Sequence, residues 1–162
     1  MAKKIITITL RVGDLIYNIR NHIYHIGETM EAAGTEAAAV GRMQDTDSRH
    51  SADFLAHKIR GAVAELRGHL GEYISDAEES KQDSSCPDKI DLRLAMPSNF
   101  RTPVLLSLKS AMQQYVETMS IAAWLTVTDA KAVKSYTEEA AQIIEEIKRL
   151  AGERERPKKE TP

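Results

Sequence analysis

Two histidines in the segment NHIYHIGE, His22 and His25, have the type and spacing to share a transition metal ion. Residues three apart are neighbours on a helix surface, so both imidazoles could reach one ion. A metal site inside a helical bundle also needs inward carboxylates, usually in a Glu-x-x-His pattern. No glutamate stands three residues before any histidine in this sequence. We therefore expect no metal site and no cofactor.

The nearest substitute for that pattern is Asp47 with His50, and His57 follows seven residues later. Asp47 and His50 fall in or near an expected loop, which is a poor support for a metal site. A metal-dependent helical-bundle enzyme that uses His22, His25 and His57 is the alternative from the enzyme class. The sequence has no glycine-rich phosphate loop and no nucleophile elbow. No catalytic residue is predicted.

The composition is that of one globular domain, with 162 residues, 42% hydrophobic residues and 28% charged residues. A net charge of -2 gives no broad electrostatic reason to bind nucleic acid. No apolar run reaches the length of about 18 residues that a membrane span requires. Cys86 is the only cysteine, so no disulfide can form within the chain, and a reducing compartment is indicated.

Two segments alternate apolar and polar residues with the period of a half-buried strand. KIITITLR predicts a strand near 4–12, and KIDLRLAMP predicts one near 89–96. A single strand leaves its backbone groups unpaired, so each strand needs a partner. We expect the two to pair with each other in preference to pairing with a neighbouring subunit.

The rest of the sequence reads as helix. Asp14 is expected to cap the first helix, and a second is expected to run from about Ser51 to about Glu78. Thr102 before Pro103 predicts the start of a third helix, with the threonine hydroxyl as its cap. A break follows in WLTVTD, where Thr128 can cap the last helix. The apolar positions expected to face the core are Ile16, Ile19, Ile23, Ile26, Met30, Leu55, Ile59, Val63, Leu66, Leu70, Tyr73, Leu105, Leu108, Met112, Tyr115, Met119, Ala122, Val133, Tyr136, Ala140, Ile143, Ile147 and Leu150.

The predicted fold class is mainly α, a bundle of four to five helices with a small two-stranded β element. Residues 1–152 form one helical domain. Residues 153–162 have the sequence ERERPKKETP. They are charged and contain no apolar side chain that could join a core. They are expected to be a mobile tail.

The second half resembles small helical virion proteins of tailed phages and prophages, in particular the head–tail connector or adaptor class. In that class a strand is followed by a helix, a break after a tryptophan, and a final helix with Tyr-x-x-x-Ala. The likeness covers about residues 90–157. The pieces that carry it are Met96 to Phe100, Tyr115, Trp124 to Thr128, Tyr136 with Ala140, and Arg154 to Pro157.

The resemblance implies a non-enzymatic structural subunit that works in a ring of identical copies around the DNA passage. Its partners would be further copies of itself and portal, capsid or tail proteins, with non-specific proximity to DNA and no membrane contact. It would be located in the virion, and in the host cytoplasm during assembly. Connector, stopper and tail terminator positions all fit, and a small regulatory protein-binding module is the further alternative.

An assembly interface under this interpretation would use the two strands, two aromatic residues and the basic end of the chain. The residues expected there are Ile6, Ile8, Leu10, Ile90, Leu92, Leu94, Phe100, Trp124, Arg154 and Arg156.

Overall fold

The computed structural model describes residues 3–32, 34, 49–75 and 88–156. The elements in chain order are β1 (Lys3–Arg11), α1 (Val12–Ala32), α2 (Arg49–His69), β2 (Lys89–Pro97), a short 3-10 helix (Thr102–Val104), α3 (Leu105–Thr128) and α4 (Val133–Ala151). The prediction of a mainly α fold with a small two-stranded element is confirmed. The predictions for Asp47, Cys86 and residues 157–162, and for the side chain of His50, lie outside the described residues.

β1 and β2 form an antiparallel two-stranded sheet in which Ile8 lies opposite Leu92 and Leu10 lies opposite Ile90. The expected pairing within the chain is therefore confirmed. Alternate side chains of both strands are buried against the helices, while the other face of the sheet is largely exposed. β1 ends at Arg11, one residue earlier than expected, because Val12 already begins the helix.

Asp14 was expected as the N-cap of the first helix, and this is wrong because α1 begins two residues earlier, at Val12. The Asp14 carboxylate instead lies in the first turn, where a negative charge interacts favourably with the helix dipole. The side chains of Leu15, Ile19 and Ile23 are fully buried, and Ile16 packs partly buried against the same core. The buried stripe of α1 thus includes Leu15, which the expected set omitted.

The second helix was expected to continue to about residue 78, but α2 ends at His69. Gly68 and Gly71 weaken helix propensity at this point. The Tyr73 amide donates to the Leu70 carbonyl over 2.8 Å in a turn, and Ile74 then forms an isolated antiparallel bridge with Leu94. The chain leaves the helix here because its backbone gains partners on β2.

The hydroxyl of Thr102 does not cap a helix, contrary to expectation; it accepts a hydrogen bond from Lys4 Nζ over 2.8 Å. Pro103 does lie in the first turn of the 3-10 helix, where its missing amide leaves no unpaired donor. This short helix leads directly into α3 and ties the start of β1 to it.

The break before the last helix lies at residues 129–132, later than expected, because Trp124 to Thr128 still belong to α3, and Thr128 does not cap α4. Its hydroxyl donates back to the Trp124 carbonyl over 3.1 Å. The neighbouring Asp129 accepts the Lys131 amide at Oδ1 over 3.3 Å and stabilises the turn instead.

α3 is the central helix and contacts α1, α2 and α4. Its second half is therefore buried on several sides rather than on one stripe, which differs from the one-sided pattern of α4. The buried residues of α3 are Leu108, Met112, Tyr115, Val116, Thr118, Ser120, Ile121, Ala122, Trp124 and Leu125. The hydrophobic core is built around this helix.

Candidate interaction surfaces

The strand residues expected at an interface are part of the core of the subunit. Ile6, the most accessible of them, is 7% exposed, and Leu92 and Leu94 have no exposed surface. The others, Ile8, Leu10 and Ile90, are likewise buried. The structure brings these six side chains together, but on the inner face of the sheet. They are not available to a neighbouring copy unless the sheet separates from the helices.

The two aromatic residues expected at an interface are also buried, with Phe100 1% and Trp124 8% exposed. The rings of Phe54 and Trp124 meet edge to face, with centroids 5.7 Å apart. The indole Nε1 of Trp124 is buried, and no group in the described part of the chain accepts a hydrogen bond from it. Trp124 therefore anchors the contact between α2 and α3.

The two arginines at the end of the chain differ in their surroundings. Arg154 is half-buried, and its Nη1 donates to the carbonyls of Ala151 over 2.8 Å and of Glu153 over 3.1 Å. It thereby pairs a carbonyl at the C-terminal end of α4 that would otherwise lack a partner. Arg156 is exposed. Of the two, Arg156 is the one that presents its charge to solvent.

Two of the three histidines of the metal-site hypothesis contact other side chains. His22 Nε2 lies 2.9 Å from the hydroxyl of Tyr136, which joins α1 to α4. His25 Nδ1 lies 2.9 Å from Glu28 Oε2 on the same helix, and His57 is exposed on α2. Within residues 3–32, 49–75 and 88–156, no group of three or more histidine, cysteine, aspartate or glutamate residues is placed to hold a metal ion.

The phenol of Tyr115 has a strongly raised pKa. Its hydroxyl donates to Glu65 Oε2 over 3.4 Å, and its ring meets that of His69 edge to face. Burial, and then the nearby Glu65 carboxylate, raise the pKa of Tyr115 to about 12. The phenol is therefore protonated at neutral pH and acts as a hydrogen-bond donor between α2 and α3.

Tyr17 and Tyr24 are the exposed aromatic side chains of α1, with 66% and 45% of their surfaces accessible. They are seven residues apart, two helical turns, and so share one side of the helix about 10 Å apart. That side is opposite the buried stripe of Leu15, Ile19 and Ile23. We call it the tyrosine face. This face was not predicted from the sequence, although the seven-residue spacing of two tyrosines off the apolar stripe is a readable signal.

A groove of about 380 Å³ follows one side of the first half of α3. At its start Leu106 is 79% exposed. Further along, Glu117 Oε1 accepts hydrogen bonds from Asn18 Nδ2 of α1 over 2.8 Å and from Gln113 Nε2 over 3.0 Å. The lining residues are Leu106, Lys109, Ser110, Gln113, Gln114 and Glu117. The groove is therefore mostly polar, with one apolar side chain at its end.

The outer face of the sheet is the third exposed surface. Thr9 Oγ1 donates to Asp91 Oδ1 of the facing strand over 2.6 Å, and Ile5 is 51% exposed. Basic side chains stand at both ends of this face, namely Lys3, Arg11 and Lys89. The face is thus small, partly apolar and positively charged at its ends.

Comparison of the chain with protein-family models, with curated proteins and with solved structures finds no match. None of the helices in the described ranges combines the length and the apolar character needed to cross a bilayer.

Proposed function

We propose that this protein is a non-enzymatic assembly subunit of a tailed-phage virion, of the head–tail connector type, that associates with further copies of itself through the tyrosine face. The observation that carries the proposal is the exposure of Tyr17 and Tyr24 on one side of a well-packed helix. The subunit belongs in the virion and, during assembly, in the host cytoplasm. Its other partners are portal, capsid or tail proteins.

Tyrosine is among the residues that contribute most to protein–protein binding, because its ring buries a large area at a low cost in conformational entropy. Ile19 and Ile23 already fill the inner side of α1, so the two tyrosines are not needed for the core. Their exposure in a chain that is only 5% aromatic favours a role in binding.

The burial of the strand side chains supports a helix-based interface. Ile8 and Leu92 lie between the sheet and the helices, so a copy that bound through them would first have to unfold part of the subunit. A contact through α1 leaves the core intact. The arrangement of strand, helix, break and final helix over residues 90–157 supports the connector type, by resemblance.

The test is the oligomeric state of the purified protein, measured by light scattering after size exclusion and by native mass spectrometry. We expect a defined oligomer at high concentration, formed either by the protein alone or after addition of portal and tail proteins of the same phage. A protein that is monomeric under all of these conditions contradicts the proposal.

The double substitution Tyr17→Lys and Tyr24→Lys tests the surface. We expect association to weaken at least tenfold, an estimate of roughly the effect of losing one interface hot spot. Asp14 and Glu28 are three or four residues from the substituted positions, so new helical charge pairs help to keep α1 folded.

The matched control is Ala141→Lys with Gln142→Lys on the exposed side of α4, which adds the same charge elsewhere. We expect this variant to associate as the unmodified protein does. Equal weakening by both pairs of substitutions would mean that charge, and not the tyrosine face, controls association.

A further inference from the structure

β1 has one edge with which no described residue pairs, and the backbone groups on this open edge can be assigned from the register of the sheet. The Val12 amide donates to the Asp88 carbonyl over 3.0 Å, which extends the register that pairs Leu10 with Ile90. In an antiparallel ladder hydrogen-bonded pairs alternate along the strand. The even-numbered residues of β1 therefore direct their amides and carbonyls toward β2, and the odd-numbered residues direct theirs to the opposite edge.

The amides and carbonyls of Ile5, Thr7 and Thr9 are thus directed away from β2. No group in the described part of the chain bonds to them. The side chains of Ile5 and Thr7 are exposed and that of Thr9 is half-buried. An open row of backbone donors and acceptors is a template for strand addition.

The opposite edge of the sheet is already occupied. The Ser75 amide donates to the Arg93 carbonyl over 3.0 Å, and the Ala95 amide donates to the Tyr73 carbonyl over 2.6 Å. A head-to-tail row of subunits joined by their sheets would need both edges. Because the segment after α2 covers the centre of β2, subunits cannot join into such a row through their sheets.

The charges of β1 disfavour a second copy of β1 as that strand. β1 contains Lys3, Lys4 and Arg11 and no acidic residue. Two copies paired antiparallel about Thr7 would place Lys3 of each copy opposite Arg11 of the other. Like charges directly opposite each other destabilise a ladder, whereas opposite charges stabilise it. The edge fits a strand whose two ends are acidic.

We propose that the open edge of β1 binds an extended segment of a different protein as a third, antiparallel strand. That segment carries acidic residues opposite Lys3 and Arg11 and a β-branched or apolar residue opposite the exposed Ile5. Its backbone pairs with Ile5, Thr7 and Thr9. This binding surface is separate from the tyrosine face and does not depend on self-association.

The test uses a nine-residue synthetic peptide, acetylated and amidated, with threonine and serine in most positions. Glutamate stands first and last, opposite Arg11 and Lys3, and isoleucine stands seventh, opposite Ile5. We expect binding to the full chain by calorimetry or fluorescence anisotropy. The same peptide with lysine at both ends is expected to bind about tenfold more weakly, and added salt is expected to reduce the difference.

N-methylation of the peptide tests the backbone pairing without altering the protein. Methyl groups on the amides of peptide residues five and seven block donation to β1, so binding is expected to be lost. Methyl groups on residues four and six lie on the outward edge and are expected to leave binding within about threefold of the unmodified peptide. Equal loss with both sets would overturn the proposal.

A charge exchange in the protein tests the ends of the strand. The substitutions Lys3→Glu and Arg11→Glu are expected to reverse the preference, so that the lysine-ended peptide binds more tightly. Arg11 lies opposite Lys89 in the ladder, so its replacement by glutamate removes a like-charge pair and does not threaten the fold. An unchanged preference would overturn the proposal, as would no binding of the acidic peptide.

The last test compares the effect of one substitution on self-association with its effect on peptide binding. Thr7→Pro removes an amide that faces the open edge and leaves the ladder with β2 intact. Circular dichroism and thermal unfolding confirm that the variant is folded. If it abolishes self-association, the edge binds a second copy and the proposal is overturned; if it abolishes only peptide binding, the proposal is supported, whatever the result for the tyrosine face.

Discussion

Phe100 and Arg154 form an isolated antiparallel bridge that joins the chain after β2 to the chain after α4. The Glu155 amide donates to the Asn99 carbonyl over 2.8 Å, and the Arg101 amide donates to the Glu153 carbonyl over 3.4 Å. Phe100 itself is 1% exposed. Residues 153–156, expected from composition to belong to a mobile tail, are therefore held against the start of the second helical half.

Deletion of residues 153–162 should destabilise the protein. It removes both backbone hydrogen bonds and the ion pair between Arg101 Nη1 and Glu153 Oε2. We expect a loss of about 1–3 kcal/mol in the free energy of unfolding, measured by urea denaturation. Deletion of residues 157–162 alone removes none of these contacts and should change the value by less than about 0.5 kcal/mol. Equal stability of the two truncated proteins would contradict the role assigned to this segment.

The strands and helices that were predicted well are those in which the spacing of apolar residues along the sequence shows which side is buried. Ile8 and Leu92 alternate with polar neighbours, and Ile143 and Ile147 recur every four residues, so strand and helix could be assigned without the structure. The caps were predicted poorly. Asp14 and Thr102 have the right side chains for caps, but neighbouring residues compete: Val12 continues from β1 into the helix, and Lys4 binds the Thr102 hydroxyl.

The attachment of residues 153–156 could not be read from side chains, because it depends on backbone hydrogen bonds to a distant segment. Gly68 and Gly71 are a signal for the end of α2, but the backbone bonds to β2 that also fix this end could not be read from the sequence. The Ala95 amide binds the Tyr73 carbonyl whatever side chains the two residues carry. The strand residues predicted for the interface are buried for a different reason. Apolar alternation in Ile6 and Ile8 marks a buried face, and the sequence does not say whether the covering surface is the same subunit or another.

Ile5 and Ile8 offer a matched test of the contribution of the sheet to the core. Both are isoleucines of β1, but Ile5 is 51% exposed and Ile8 is 2% exposed. Ile8→Ala should cost about 2–5 kcal/mol because it opens a cavity against the helices. Ile5→Ala should cost less than about 1 kcal/mol. The free energies of unfolding of both variants are measured by denaturant unfolding. A loss for Ile8→Ala as small as that for Ile5→Ala would mean that the sheet contributes little to the core.

Tyr115 should make the stability of the fold depend on alkaline pH. Its pKa rises from the model-compound value of 10.0 to about 12, so the native state favours the neutral phenol. The stabilisation is complete below pH 10, the pKa of the unfolded chain, and is lost as the pH rises toward the native value. We expect a loss on the order of 1–2 kcal/mol from this group between about pH 9 and about pH 12.

The measurement is urea denaturation of the protein and of Tyr115→Phe over that range of pH. The variant lacks the ionisable group, so the difference in stability between the two proteins should narrow or reverse as the pH rises. At neutral pH the variant should lose no more than about 1 kcal/mol, because the bond to Glu65 is long at 3.4 Å. Parallel curves for the two proteins would show that the phenol ionises equally easily in the folded and unfolded states.

Trp124 should tolerate replacement by phenylalanine far better than replacement by alanine. Its indole is buried against Phe54, and its Nε1 donor has no acceptor among the described residues, which costs free energy in the native state. Trp124→Phe keeps an aromatic ring in contact with Phe54 and removes that donor, so we expect a loss of less than about 1.5 kcal/mol. Trp124→Ala leaves a large cavity between α2 and α3 and should cost about 3–5 kcal/mol. Denaturant unfolding followed by circular dichroism serves for both variants, since each lacks the only tryptophan of the chain. If Trp124→Phe lowered the free energy of unfolding as much as Trp124→Ala does, the indole N–H would stabilise the native state and would not destabilise it.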